Sequence, residues 1–308
     1  MKTTSTKLLK QLTENLWLQY LRRVPYARSY SDMVESKGGR VVHDHIAFRT
    51  FNTHTGEQPP GIKAIGHILE MLNYRKAGKY KFPKMQVTAV HYEHPDPLLP
   101  RIFVSQLEVE ELPDWARNII NQKVFESPYI ISDQAIELLN VIEAQGKINE
   151  EAAEILVEEL SGYFRRPWKL PQRDDLLQIN DLSQYAAWVL LHGNSVNHFA
   201  ASINLQNVPE WPDLETTCRA LASAKIPMKE EIEGEKGSIL RQSATQAVKE
   251  IFRLKSEDGT IVDTEWTYAY YEFTERGYVI SDSGESLFSG FLTDQATHLF
   301  KMTETRDN

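Results

Sequence analysis

The stretch VVHDHIAFRTF, residues 41–51, decides how the rest of this chain is read. Its β-branched and aromatic residues predict a strand. Side chains of a strand alternate between faces, so His43, His45, Ala47 and Arg49 are expected on one side and Asp44, Ile46, Phe48 and Thr50 on the other. Two histidines on one face offer an HxH pair for a metal. Arg49, four residues after His45, can direct a guanidinium into any cavity His45 lines and hold a carboxylate bidentately, or form an ordinary surface salt bridge.

Before the strand, SKGGR (36–40) is a turn, and residues 7–21 form an amphipathic helix with Leu8, Leu12, Leu16 and Tyr20 on one face. After it comes the loop THTGEQPPG (53–61), a helical pattern over 62–76, and two strand-like runs, MQVTAVHYEH (85–94) and RIFVSQLEVEEL (101–112), joined by PDPLLP. Residues 112–187 are helical in three blocks, with Asp133 and Asn149 as N-caps. Then the first order returns: SVNHFAASINL (195–205) is a strand with a histidine near its middle, DLETTCRALASAKI (213–226) a helix. GSILRQSATQA, VKEIFRLKSEDGTIVDTEW (turning at Asp258-Gly259) and YAYYEFTERG are strands, and TDQATHLFKMT (293–303) is a closing helix. The class is α+β: an N-terminal helix (1–35), a first strand–helix–strands unit (36–111), a helical insertion (112–190) and a second unit with a C-terminal helix (191–308).

Composition limits the chemistry. Lys and Arg total 34 against 43 Asp and Glu, a net charge of −9, which argues against a general nucleic-acid binder. An acidic substrate stays open, since one buried Arg binds a carboxylate whatever the total charge. The one cysteine, Cys218, excludes a disulfide within the chain and any Cys-rich zinc or iron–sulfur site; it reads as a core thiol. A metal site must use His, Asp or Glu. No apolar run approaches transmembrane length. The N-terminus lacks a secretory pattern, so a cytoplasmic protein with no membrane partner is expected.

Three strands carry isolated metal-type side chains: His45, His198 and Glu272. Two histidines and one carboxylate are the usual ligands of non-haem iron(II). Glu272 lies among Tyr268, Tyr270 and Thr274, and a carboxylate among aromatic residues is paired, protonated or metal-bound, because a bare buried charge is costly. Histidines in strands also serve as hydrogen-bonded structural residues, so from the residues alone both readings stand. Arg241, Gln242, Ser243 and Thr245 form a polar patch. GEKGS (234–238) lacks the ending of a phosphate loop, and His91 and His94 in HYEHP are spaced for opposite faces.

HDHIAFRTF, VNHF, YYEFTERG and GFLTDQATHLF resemble the 2-oxoadipate dioxygenase/decarboxylase family, which is related to the vicinal oxygen chelate and glyoxalase superfamily. The resemblance spans residues 41–302. It implies two βαβββ modules forming a cup around a metal, with the helical insertion between them. It implies iron(II) held by His45, His198 and Glu272, with zinc, nickel or manganese as other divalent candidates. Arg49 is implied as the substrate-binding and catalytic arginine, and Arg241, Gln242 and Ser243 of the RQS segment as further pocket residues. Glu272 is preferred to Glu275 because Arg276 then completes an E-x-x-polar-Arg segment. The implied activity is oxidation of a 2-oxo dicarboxylic acid by dioxygen, turning 2-oxoadipate into 2-hydroxyglutarate and carbon dioxide. The members associated with that substrate are longer than this chain, which is expected to be a shorter branch that departs in the residues measuring substrate length. A glyoxalase-like lyase or isomerase and a non-catalytic small-molecule-binding protein of the same fold are the alternatives; oligomeric state is open.

Overall fold

The computed structural model describes residues 2–54, 60–125, 127–128, 130–281 and 284–292. A short strand, β1 (Lys2–Thr4), leads into α1 (Ser5–Arg23), where the Thr4 hydroxyl caps the helix by accepting from the Lys7 N–H at 3.2 Å. The expected stripe of Leu8, Leu12, Leu16 and Tyr20 is buried. The single helix expected over 1–35 is in fact two: Pro25 cannot donate its nitrogen, so the chain breaks at Val24 and restarts as α2 (Pro25–Ser36) with Pro at its first position.

The decisive stretch forms β2 (His43–Phe51), followed by α3 (Ile62–Met71). The helix expected to reach residue 76 stops five residues short. Asn73 takes a left-handed conformation (φ 73°), and the chain turns into a strand that composition did not announce, β3 (Arg75–Phe82). This is an edge strand rich in lysine, which is how natural sheets protect an open edge. β4 (Val87–Glu93) and β5 (Arg101–Leu107) complete a strand–helix–strand–strand–strand unit.

The helical stretch follows: α4 (Asp114–Phe125), α5 (Asp133–Gln145), capped by Ser132 rather than by Asp133, the short strand β6 (Lys147–Asn149), α6 (Glu150–Tyr163), capped by Asn149 as expected, α7 (Arg173–Leu182) and α8 (Gln184–His192). β6 pairs with β1. Every residue of α8 from Tyr185 to His192 is buried; a helix apolar on all sides belongs inside a core, and it packs on β2.

The second unit consists of β7 (Val196–Ser202), α9 (Leu214–Ser223), β8 (Leu240–Ala244), the separate hairpin β9 (Lys249–Lys255) and β10 (Ile261–Thr267), and β11 (Glu272–Arg276). A small hairpin, β12 (Tyr278–Ser281) and β13 (Gly284–Leu287), comes last. The closing helix expected at 293–303 lies outside the described residues.

One mixed sheet holds the order β3-β4-β5-β2-β7-β11-β8. β2 and β7 pair antiparallel at its centre. β5 lies parallel beside β2, and β11 lies parallel beside β7. Each half therefore sets its last strand against its first, and the two first strands meet. This is the α+β, two-unit architecture that the resemblance implied. Among the described residues no helix is long and apolar enough to cross a membrane.

Candidate metal centre

The seam between β2 and β7 contains two irregularities, and the histidines sit beside them. His43 pairs with Ala201 and His45 with Ala200, so Asp44 is an extra residue on β2. Ala47 pairs with His198 and Phe48 with Val196, so Asn197 is an extra residue on β7. A bulge of this kind re-aims the side chains around it. Asp44 is thereby brought alongside its own neighbour, where it receives the His45 Nδ1–H at 2.8 Å. Asn197 does the same for His198, whose Nδ1 donates to its Oδ1 at 3.0 Å. With both Nδ1 atoms engaged as donors, each imidazole turns a bare Nε2 lone pair the other way. Outer-shell acceptors of this type fix the tautomer and orientation of metal-ligating histidines.

The two Nε2 atoms point at each other and at Glu272. They stand 3.2 Å apart, His45 Nε2 lies 3.4 Å from Glu272 Oε1, and His198 Nε2 lies 3.5 Å from Glu272 Oε2. Three ligand atoms each about 2.1 Å from one ion are separated by roughly 3.0–3.4 Å at octahedral or tetrahedral angles. Among the described residues this is the one group of three His, Cys, Asp or Glu residues whose ligand atoms converge in this way. All three residues are buried.

The carboxylate supplies the test of fit. Glu272 Oε1 accepts from Gln242 Nε2 at 2.5 Å and from the Thr274 hydroxyl at 3.0 Å. Its Oε2 is buried and accepts no hydrogen bond. A buried carboxylate with one oxygen lacking a donor, set against two nitrogen lone pairs, is an arrangement a divalent cation would satisfy. Without one, burial pushes the Glu272 carboxyl up to about 7, against the opposing pull of His45 and Thr274. Burial, then neighbouring His45 and Arg49, holds His198 well below the ordinary imidazole range, which keeps its Nε2 unprotonated and available.

Arg49 follows on β2, buried beneath α8, with its guanidinium carbon 5.1 Å from the Tyr185 ring centre and 5.2 Å from that of Trp188. Burial lowers its pKa, opposed by Tyr185 and Tyr270. One cavity is lined by His45, His198 and Arg49 together with Phe103, Tyr270 and Phe291. Tyr270 stacks on His198 with ring centres 4.8 Å apart. The cavity thus offers the two histidines of a triad that could hold a cation at one place and a buried guanidinium at another, between aromatic walls.

Not every expected residue reaches it. Gln242 reaches Glu272 by its hydrogen bond but does not line the cavity. Arg241 and Ser243 alternate to the opposite face of β8: Arg241 pairs with Glu215 and with Glu275 at 2.7 Å, and Ser243 hydrogen-bonds the Cys218 thiol. The expectation that all three RQS residues line the pocket is corrected by strand alternation itself. The HxH pair does not form either. The bulge turns His43 away into contact with Trp17 and Phe199, at ring-centre distances of 4.6 and 4.8 Å. His91 bonds the Tyr80 hydroxyl at 2.8 Å, and His94 Nδ1 accepts from the Asp96 N–H at 2.9 Å; both are structural. The residues missed are Asp44, Asn197 and Phe291. The first two had a signal, since each histidine of the triad directly follows a short side-chain acceptor, in DH and NH. Phe291 lies in an irregular segment with no periodicity to mark it.

Comparison with known proteins agrees with this architecture. The family model described as 2-oxoadipate dioxygenase/decarboxylase matches residues 12–308. A 2-oxoadipate dioxygenase/decarboxylase of Oryza sativa subsp. japonica, described as chloroplastic/amyloplastic, is 28% identical over 204 residues, 63% of this chain and 49% of the relative. The Pseudomonas putida protein of that name is 24% identical over 214 residues, 66% of this chain and 43% of the relative. The match thus spans about half the length of these curated relatives. Among solved structures, a Ralstonia eutropha protein assigned to the glyoxalase superfamily superposes with a TM-score of 0.84 at 26% identity, covering 94% of this chain and 87% of its own. The Oryza sativa hydroxyglutarate synthase, solved in complex with 2-oxoadipate, shares the fold with a TM-score of 0.76 at 22% identity, covering 97% and 93%.

Proposed function

Because this chain belongs to the 2-oxoadipate dioxygenase/decarboxylase family, we propose that it is an iron(II)-dependent oxidoreductase. On this reading it oxidatively decarboxylates a 2-oxo dicarboxylic acid, with 2-oxoadipate as the leading substrate. The reading is supported above all by one observation: two outward-turned Nε2 atoms converge on one buried carboxylate, His45 at Oε1 and His198 at Oε2, and that Oε2 accepts no hydrogen bond. His45, His198 and Glu272 would hold the metal and leave further coordination positions open. When bound, the ion supplies a template for the acid and dioxygen and the electrons that activate dioxygen.

The protein's own residues do the rest. Arg49 binds a substrate carboxylate by charge-assisted hydrogen bonds, which gain strength in a buried site. Asp44 and Asn197 keep the imidazoles aimed. Phe103, Tyr270 and Phe291 exclude water from the reacting carbons. The overall change balances: 2-oxoadipate and dioxygen give 2-hydroxyglutarate and carbon dioxide, with both dioxygen atoms ending in the hydroxy acid. The substrate carries its own 2-oxo acid group, so no separate 2-oxo acid is consumed.

The test is metal-stripped protein reloaded with iron(II) and offered 2-oxo dicarboxylic acids of four to seven carbons. The expected result is dioxygen uptake matched by carbon dioxide release, largest for one chain length. Turnover without dioxygen, supported by zinc, nickel or manganese, would replace this reading with a glyoxalase-like lyase or isomerase. Absence of metal binding would leave a small-molecule-binding protein.

A further inference from the structure

Arg276 ends β11 and is 2% exposed. Its backbone is fixed from both sides by Asn204, whose Oδ1 accepts the Arg276 N–H at 2.8 Å and whose Nδ2 donates to the Arg276 carbonyl at 2.9 Å. From that anchored point the guanidinium makes two sets of bonds. Nε and Nη2 form a fork on Asp44, at 2.6 Å to Oδ2 and 2.8 Å to Oδ1. Nη1 donates to the carbonyls of Phe288 at 3.0 Å and Gly290 at 2.8 Å. The group also lies 5.2 Å from the Phe291 ring centre.

These two sets meet at the same imidazole. Asp44 is the acceptor that orients His45. Phe291, the residue after Gly290, sets its ring edge-on to His45 at 5.0 Å and tilted to Phe103 at 5.0 Å, and its N–H donates to the Tyr80 hydroxyl at 3.2 Å. Phe291 lines the cavity. One guanidinium therefore ties down both the carboxylate that aims a ligand histidine and the segment that walls the cavity.

We infer that Arg276 is a positioning residue that couples the aim of His45 to the placement of Phe291 against the substrate cavity. The inference rests on the proposed metal-and-acid reading of the site. Its chemistry is specific to arginine, whose planar fork spans a carboxylate with one edge and leaves further donors for the two carbonyls. A lysine ammonium at the same place keeps the charge beside Asp44 and loses that span. If Arg276 only joined β11 to β2, its replacement would change stability and leave metal affinity and KM where they were.

The experiment uses the full chain as wild type, Arg276→Gln, Arg276→Lys, Phe291→Ala and the Arg276→Lys/Phe291→Ala double variant. Cobalt(II) binding is followed by visible absorption, dioxygen uptake with 2-oxoadipate gives KM and kcat, and thermal unfolding checks the fold. Arg276→Gln is expected to weaken cobalt(II) binding by about 10–100-fold, the usual cost of losing an outer-shell partner. Arg276→Lys is expected to keep cobalt(II) affinity within about three-fold, because Asp44 retains a cation, and to raise KM as much as Phe291→Ala does. The double variant is expected to match Phe291→Ala, since the two share one effect. A folded Arg276→Gln with wild-type cobalt(II) affinity overturns the inference. So does Arg276→Lys with wild-type KM, or KM effects that multiply in the double variant, and these two results decide the matter if Arg276→Gln does not fold. Wild-type protein that binds no cobalt(II) refutes the metal reading itself, and the inference with it; wild-type binding with indifferent variants refutes the inference alone.

Discussion

Replacing Asp44 by Asn removes one charge from the interior and almost nothing from its shape. Asp44 and Arg276 have side chains 2% and 1% exposed and meet at 2.6 and 2.8 Å. Their charge centres are about 4 Å apart, which corresponds to about 4 kcal/mol at the effective dielectric suited to protein sites. Removing one partner of a buried pair typically costs about 3–5 kcal/mol, because the other charge stays buried. The amide oxygen still accepts one Arg276 bond, so the expected loss is at the lower end, about 3 kcal/mol. Its pH dependence is fixed in sign. Burial alone would raise the Asp44 carboxyl, but Arg276 and then His45 outweigh it and hold it well below the usual carboxylate range. A depressed folded pKa stabilises above the unfolded value of about 3.9 and loses that stabilisation as pH falls below it. The assay is urea unfolding of wild type and Asp44→Asn with a chelator present, so that metal binding does not contribute. The gap in unfolding free energy should be constant from about pH 5 to 8 and should shrink below about pH 4. A gap under about 1 kcal/mol, or one that stays constant into acid, would mean that the Asp44–Arg276 pair does not hold the fold together in this way.

Glu272→Gln should remove the anionic ligand and weaken divalent-metal binding by more than the roughly 100-fold ceiling for outer-shell partners, while stabilising the metal-free protein in alkali. Burial raises the Glu272 carboxyl to about 7, so its ionisation disfavours the fold increasingly from about pH 4.5 to 7, by about 3 kcal/mol at the plateau. Paired calorimetry and urea melts at pH 8 check both halves, and a variant that binds metal normally contradicts the ligand assignment. Arg49→Ala should bind cobalt(II) like wild type and lose about 10–150-fold in kcat/KM for the dicarboxylic acid, the worth of a charge-assisted hydrogen bond of about 1.5–3 kcal/mol; loss of the metal would mean its role is structural. His43→Phe should remove an acid-sensitive element. Burial lowers the His43 imidazole to about 4, so the wild type loses about 3 kcal/mol as pH falls from about 6.5 to 4, and urea melts of the variant should lack that decline.

The convergence of His45, His198 and Glu272 was legible because strands carry few metal-type side chains, and three isolated ones spread over two units invite convergence. The family resemblance then supplied the choice among nine histidines. What stayed hidden follows from where simple periodicity fails. Alternation assigns Asp44 to the face opposite His45 and pairs His43 with it; the bulge at Asp44 reverses both assignments. β3 was invisible because its lysines protect a sheet edge and mimic a solvated helix end. Arg241 and Ser243 were misplaced for a different reason: the resemblance named a segment, and only every second residue of a strand can face one cavity. Arg276 was read only as part of a pattern beside Glu272, since its reach to Asp44, 232 positions away in sequence, depends on strands that meet only in the folded sheet.

The most direct test of the account is a crystal of the iron(II)-loaded protein, grown without dioxygen and soaked with 2-oxoadipate, measured on both sides of the iron absorption edge. One anomalous peak is expected at about 2.0–2.2 Å from His45 Nε2, His198 Nε2 and a Glu272 carboxylate oxygen, with the acid's 2-oxo and carboxylate oxygens on the same ion and an acid oxygen within hydrogen-bond distance of Arg49. Iron bound elsewhere, or absent from this triad while the acid occupies the cavity, would contradict it.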